Sequence, residues 1–290
     1  MSISLQTVAR CAVLLAAAAL AWPQSPASPE PTPDAPTAPT SPPSQATSPA
    51  SGSPSFTAEI GESYGVLNHG AAPWSEQSIK IGYTGAKRFA PFVTLSSQDR
   101  GAGTQQAYGA YSYVTLSKHV WAIVGAGGAP ERSAILYPLL RVGGSLFVHA
   151  FPRLPGLNLS VGYSDIIMPG GSGGQIASVG AIYYGKVILS GGVNFNQSRP
   201  GGLNSESAQA GFQFGRQGRY WLGGGASGGD AAYQLVGLVP FNVHINSVSA
   251  NLFYQRWLTR KFGVICRYDY LDELNFFRKN GAYIATFFEF

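Results

Sequence analysis

A hydrolytic site built on a β-strand needs its nucleophile and its base on one face, so His and Ser two positions apart are the pattern to look for. The chain has four histidines, His69, His119, His149 and His244. Two positions beyond them stand Ala71, Trp121, Phe151 and Asn246, and none of these is a nucleophile. No His/Cys/Asp cluster has the spacing of metal ligands, and Asp269, Asp272 and Glu273 form at most a weak calcium set beside a loop. The stretches "GAGGAP" and "PGGSGG" lack the Lys-Ser/Thr that a phosphate loop requires. Basic residues are spread over turns with no aromatic-interleaved groove, which argues against nucleic acid. The sequence therefore predicts no catalytic residue, no metal and no cofactor.

The remaining chemistry lies in a few charges set among alternating residues. In "FGVICRYDY", Phe262, Val264, Cys266, Tyr268 and Tyr270 share one face, and Arg267 and Asp269 point the other way. Lys80 and Arg141 take similar places, with Glu62, Glu76 and Glu206 nearer strand ends. If that face lines an enclosed lumen, these charges either select solutes or pair with one another to stiffen the wall. A lone desolvated charge is too costly for a third option.

The elements that must carry them are strands. Period-two alternation recurs in "GLNLSVGYS", "VILSGGVNFN", "SAQAGFQFG" and "SVSANLFYQRW", and no capped 3.6-period stripe appears after Pro54. The polar face is mostly Ser, Asn, Gln, Gly and Thr, and charged residues are only 11% of the chain. A soluble sandwich turns Lys, Glu, Arg and Asp to water, whereas small neutral groups suit a wet lumen with the apolar face turned to lipid. Short links such as "LSKHV" and "LTRKF" alternate with longer ones such as "GAGGAPERSAILYP", the asymmetry of an outer-membrane barrel. The fold predicted is all-β: a single transmembrane antiparallel β-barrel of about 14 strands over residues 55–290, or 12 if one hairpin is a folded loop. Both termini then lie on the short-turn, periplasmic side.

The N-terminus supplies an address. Residues 1–21 combine Arg10, an apolar run from Cys11 to Leu20 and an Ala19-Leu20-Ala21 cleavage pattern, which reads as a secretory signal peptide. Residues 22–54 hold eleven of the 20 prolines and only Glu30 and Asp34 as charges, so no core can form there and a disordered linker is expected. Loss of Cys11 with the leader leaves Cys266 without an intramolecular disulfide partner.

Two further features fit a membrane wall. Tyr83, Tyr113, Trp121, Tyr183, Tyr184, Trp221 and Trp257 gather near the short turns, where an interfacial aromatic girdle is expected. The final stretch "YIATFFEF" places Ile284, Phe288 and Phe290 on one face and resembles the β-signal read by the barrel-assembly machinery of outer membranes.

The middle of the chain carries a narrower resemblance. Pro138 opens a strand, Leu154-Pro155-Gly156 makes a turn, Gly162-Tyr163 sits in the next strand, and Tyr183-Tyr184-Gly185 precedes Lys186. These features resemble the YaiO-type outer-membrane β-barrel family across residues 55–290. The resemblance implies an outer-membrane location and the lipid bilayer as a partner, and implies no catalytic residue. The helical repeat domain that family members often carry is replaced here by the proline-rich linker. The expected function is a non-enzymatic pore or conduit for polar solutes or polysaccharide. A structural or adhesive barrel with a plugged lumen is the alternative, and a lipid- or polymer-modifying barrel or a secreted soluble β-protein ranks lower.

Overall fold

The computed structural model describes residues 56–68, 72–86, 88–100, 103–130, 138–235, 241–273 and 277–290. The predicted leader, the linker and His69 lie outside them. The strands begin with β1 (Phe56–Leu67), β2 (Trp74–Tyr83), β3 (Phe89–Asp99), β4 (Thr104–Thr115) and β5 (Val120–Gly128). They continue with β6 (Leu140–Val148), β7 (Leu157–Ile167), β8 (Gly173–Tyr184), β9 (Val187–Arg199) and β10 (Asn204–Arg216). The last four are β11 (Tyr220–Leu235), β12 (Phe241–Trp257), β13 (Phe262–Glu273) and β14 (Phe277–Glu289). Each pairs antiparallel with its neighbours in sequence, and β1 pairs with β14, so the sheet closes on itself. Of the two strand counts considered, fourteen is the one found.

Closure follows from the chemistry of the two faces. Within the strands, every large apolar residue that is exposed falls on one face, including Ile60, Ile79, Leu95, Val161 (57% exposed), Leu189, Leu252 and Ile284. On a soluble protein such a surface would be an aggregation hazard. Turned to lipid it is satisfied, provided that no backbone edge is left open in the hydrocarbon. Strand lengths from 9 residues in β5 to 17 in β12 are enough to span a bilayer when tilted. Toward the rim opposite the chain ends, the outer face becomes polar, with the ion pairs Arg199–Asp165 and Arg278–Asp272 (2.7 Å for the latter).

The loops differ from expectation in one respect. The pattern of short and long links makes "NQSRPGGLN", "SGGDAAYQLVGLVPFN" and "LDELNFFRKN" long links too, whereas most of their residues extend strands β9 to β14. Their polar residues pair across the hairpins, as in Asp272↔Arg278 and Asn204↔Gln197, so the sheet rises beyond the apolar band. Link 129–139, between β5 and β6, is long as expected. At the same rim, Leu67, Trp74, Leu271 and Phe277 form a small buried cluster inside the wall.

The seam pairs Thr57 with Glu289 and runs to Leu67 with Lys279. The Phe290 N–H donates to the Phe56 carbonyl at 2.8 Å, which makes Thr57 and Glu289 a close, non-hydrogen-bonded pair. Cysteines at Thr57 and Glu289, in a chain relieved of Cys11 and Cys266, should oxidise to an intramolecular disulfide, because such pairs lie within disulfide reach. Mobility on non-reducing gels checks this, and failure to cross-link in a folded barrel would contradict the seam.

Candidate functional site in the barrel lumen

The face opposite the lipid face is the lumen. Tyr113 on β4, Trp121 on β5, Phe147 on β6, Tyr184 on β8, Ile188 on β9 and Gln213 on β10 line one small cavity of about 50 Å³. Strands so far apart in the sheet can share a cavity only inside the barrel. Trp121 stacks on Phe147 with ring centroids 3.7 Å apart, and Tyr113 sits beside both Trp121 (6.3 Å) and Phe92 (5.8 Å). These rings narrow the lumen near the rim that carries the chain ends.

Five of the predicted interface aromatics are therefore corrected. Tyr113, Trp121, Tyr184, Trp221 and Trp257 occupy lumenal positions, and only Tyr83 and Tyr183 face outward. Trp257 is buried against Phe287 (5.0 Å), and the Trp221 indole N–H donates to Gln217 Oε1 at 3.3 Å. Strands such as "VWAIVGAGG" are apolar on both faces, so alternation alone could not assign a side. The outer rings at this rim are instead Phe56 against Tyr83, Phe262 against Phe288, and Tyr220 against Tyr254. Ile284, Phe288 and Phe290 do share the outward face, as the assembly-signal reading requires.

Lys80, Arg141, Arg267 and Asp269 all lie on the lumenal face, and so does Glu76. Glu62 and Glu206 are corrected to the outer face, opposite Gln77 and Phe195. Apart from Arg141 on β6, these lumenal charges gather around the seam. Arg267 Nε donates to Asp269 Oδ2 at 2.9 Å while its guanidinium lies 4.8 Å from the centre of the Tyr283 ring. The Tyr283 hydroxyl donates to Glu59 Oε1 at 2.7 Å, and Glu59 is the register partner of Lys80. The Lys80 ammonium stands 5.1 Å from the Phe92 ring centre. Glu59, Tyr283, Arg267 and Asp269 thus tie β1, β14 and β13 together across the closure. Sequence alternation found Arg267 and Asp269, whereas Glu59 went unnoticed because β1 has polar residues on both faces.

Residues 55–234 match the YaiO membrane beta barrel domain. The chain belongs to the YaiO family. The match ends within β11, short of the 55–290 span expected from the sequence, and β12 to β14 complete the barrel beyond it. No curated protein matches the chain in sequence. Among solved structures, the CymD monoaromatic hydrocarbon channel is similar over 82% of this chain and 88% of its own, with 8% identity and a TM-score of 0.50. Omp33 of Acinetobacter baumannii aligns over 81% of this chain and 99% of its own (13% identity, TM-score 0.48). An anion-selective porin of Comamonas acidovorans aligns over 82% and 99% (12% identity, TM-score 0.45). At these identities the likeness is one of fold. Family and fold together place the chain in the bacterial outer membrane.

The YaiO barrel uses glycine as a seat for its lumenal rings. Tyr283 lies across Gly61, Tyr111 across Gly125, Phe253 across Gly223 and Phe287 across Gly263, so that a methyl group at any of these glycines would overlap the ring. The rings can then lie against the wall instead of jutting into the lumen. His119 and His149 stack at the rim with centroids 5.8 Å apart, and the His149 N–H donates to the His119 carbonyl. Among the described residues, no group of three or more His, Cys, Asp or Glu could hold a metal.

Gly61→Ala should push Tyr283 off its seat and break its bond to Glu59, costing about 1–3 kcal/mol. Tyr283→Phe keeps the ring and loses only the hydroxyl, at about 1.5–3 kcal/mol for a hydrogen bond to a charged group. Thermal conversion of the folded, fast-migrating gel form measures both. If Gly61→Ala melts like the parent barrel, the seating account is wrong.

Proposed function

We propose that this outer-membrane barrel is a narrow conduit for polar, saccharide-class material and carries no catalytic chemistry of its own. The observation that supports this reading is the make-up of the lumen. Hydroxyl, amide and charged side chains line most of it, and an aromatic constriction formed by Tyr113, Trp121, Phe147 and Tyr184 occupies one sector. Polar walls keep a lumen wet, and rings at the narrowest place exclude bulky or poorly oriented solutes. The seam charges are mostly engaged with one another, so they stiffen the wall more than they filter ions. The outward Ile284, Phe288 and Phe290 suit recognition by the barrel-assembly machinery, the partner expected during biogenesis.

A second reading, a structural barrel with a plugged lumen, draws on the same aromatic cluster, because the rings that narrow the lumen could also close it. Electrical recordings separate the two. The full chain refolded into planar bilayers should show small, stepwise openings. The pair Trp121→Ala and Tyr184→Ala should raise the unitary conductance roughly two-fold or more, since a constriction dominates pore resistance. A folded barrel silent both before and after these substitutions would favour the plugged reading.

A further inference from the structure

The lumenal wall is divided by charge. Most of the charged residues, Glu59, Glu76, Lys80, Arg267, Asp269 and Lys279, lie on β13, β14, β1 and β2, and Arg141 stands apart on β6. From β7 to β12, no described lumenal side chain is charged. Amides and hydroxyls are densest on β9 to β12, among them Asn194, Asn196, Ser205, Ser207, Gln209 and Asn251, while Ile166, Ile176, Ile182 and Ile188 make β7 to the start of β9 more apolar. Cross-strand rungs fix part of this array. Asn194 Nδ2 donates to Ser207 Oγ and Asn196 Nδ2 to Ser205 Oγ, both at 3.3 Å, and the Ser227 and Ser249 hydroxyls meet at 2.8 Å.

These rungs hold the side chains in place without exhausting them. Each Asn amide keeps its carbonyl oxygen and a second N–H, and the Ser207 hydroxyl has a further lone pair. The wall therefore offers fixed donors and acceptors in rows across strands about 4.8 Å apart. At its end toward the chain termini it runs into the rings of Trp121, Phe147 and Tyr184. The Tyr113 hydroxyl is buried there without a hydrogen-bond partner in the protein.

We infer that the β7–β12 lumenal wall, together with the Trp121–Phe147–Tyr184 rings, is a binding track for an uncharged, polyhydroxylated chain, that is, a neutral oligosaccharide. Amides and hydroxyls exchange hydrogen bonds with sugar hydroxyls, and aromatic faces pack on the C–H faces of pyranose rings. A charged saccharide would meet counter-charges only at the two edges of this wall, where Arg141 flanks β7 and Arg267 and Asp269 flank β12, and would lose hydration on entering its middle. The inference rests on the conduit reading but narrows it to a neutral substrate and to one side of the lumen.

The test is calorimetric titration of the full chain in detergent with hexamers of α-linked glucose, β-linked glucose and β-linked N-acetylglucosamine, against an anionic galacturonate hexamer. At least one neutral hexamer should bind saturably and about ten-fold or more tighter than the anionic one. Asn194→Leu with Asn196→Leu should weaken it about ten-fold or more while the folded gel form persists, and Lys80→Ala should leave it unchanged. Absence of saturable binding by all three neutral hexamers, or tighter binding of the anionic one, would overturn the track. Because binding is measured without current, a conducting barrel that ignores neutral sugars removes the track and spares the conduit, and binding by a silent barrel does the reverse.

Discussion

Everything in this molecule depends on satisfying backbone hydrogen bonds where there is no water. A sheet with a free edge cannot stand in hydrocarbon, and the register from Thr57↔Glu289 to Leu67↔Lys279 removes that edge. Once the ends must meet, the other features take their places. The outer face is apolar because it is solvated by lipid, and the inner face is free to hold polar groups. The seam is the joint between the two residues of greatest sequence separation, and it is reinforced on the inside by Glu59, Tyr283, Arg267 and Asp269.

The glycine content follows from the same constraint. A lumen lined on every strand by full-sized side chains would fill, and one lined by small residues alone would leave the wall thin. Laying Tyr111, Phe253, Tyr283 and Phe287 flat over cross-strand glycines gives the wall apolar packing at little cost in lumenal space. Where no glycine lies beneath, as for Trp121 stacked on Phe147, the rings extend inward and create the constriction. Ring placement against glycine thus sets the shape of the lumen.

Much of this was legible in the sequence. Alternation located strands such as Leu157–Ile167 and Phe262–Glu273 and put Lys80, Arg141, Arg267 and Asp269 on the correct face. The YaiO resemblance was carried by short turn and strand features and is matched over residues 55–234. What failed did so for definite reasons. Strand β5 is apolar on both faces, so Trp121 was assigned to the membrane interface although it stacks inside the lumen. Tyr183 and Tyr184 are adjacent and necessarily point opposite ways, yet proximity to a turn suggested one role for both. Glu62 breaks the apolar face of β1, and its charge suggested the lumen although its register partner Gln77 is outward too. The role of Gly61 or Gly125 as a ring seat depends on a residue in another strand, which no local pattern reveals.

The account stands on one claim, that alternate residues of each strand face a water-filled lumen and lipid. Strand β12 offers the most direct measurement. In a chain lacking Cys11 and Cys266, single cysteines at Ser249, Ala250, Asn251 and Leu252 can be exposed to a water-soluble, membrane-impermeant thiol reagent after reconstitution into vesicles. The account predicts fast labelling at Ser249 and Asn251 and protection at Ala250 and Leu252. Labelling of the opposite pair would invert the wall, and protection of all four would mean that the lumen is closed to solute.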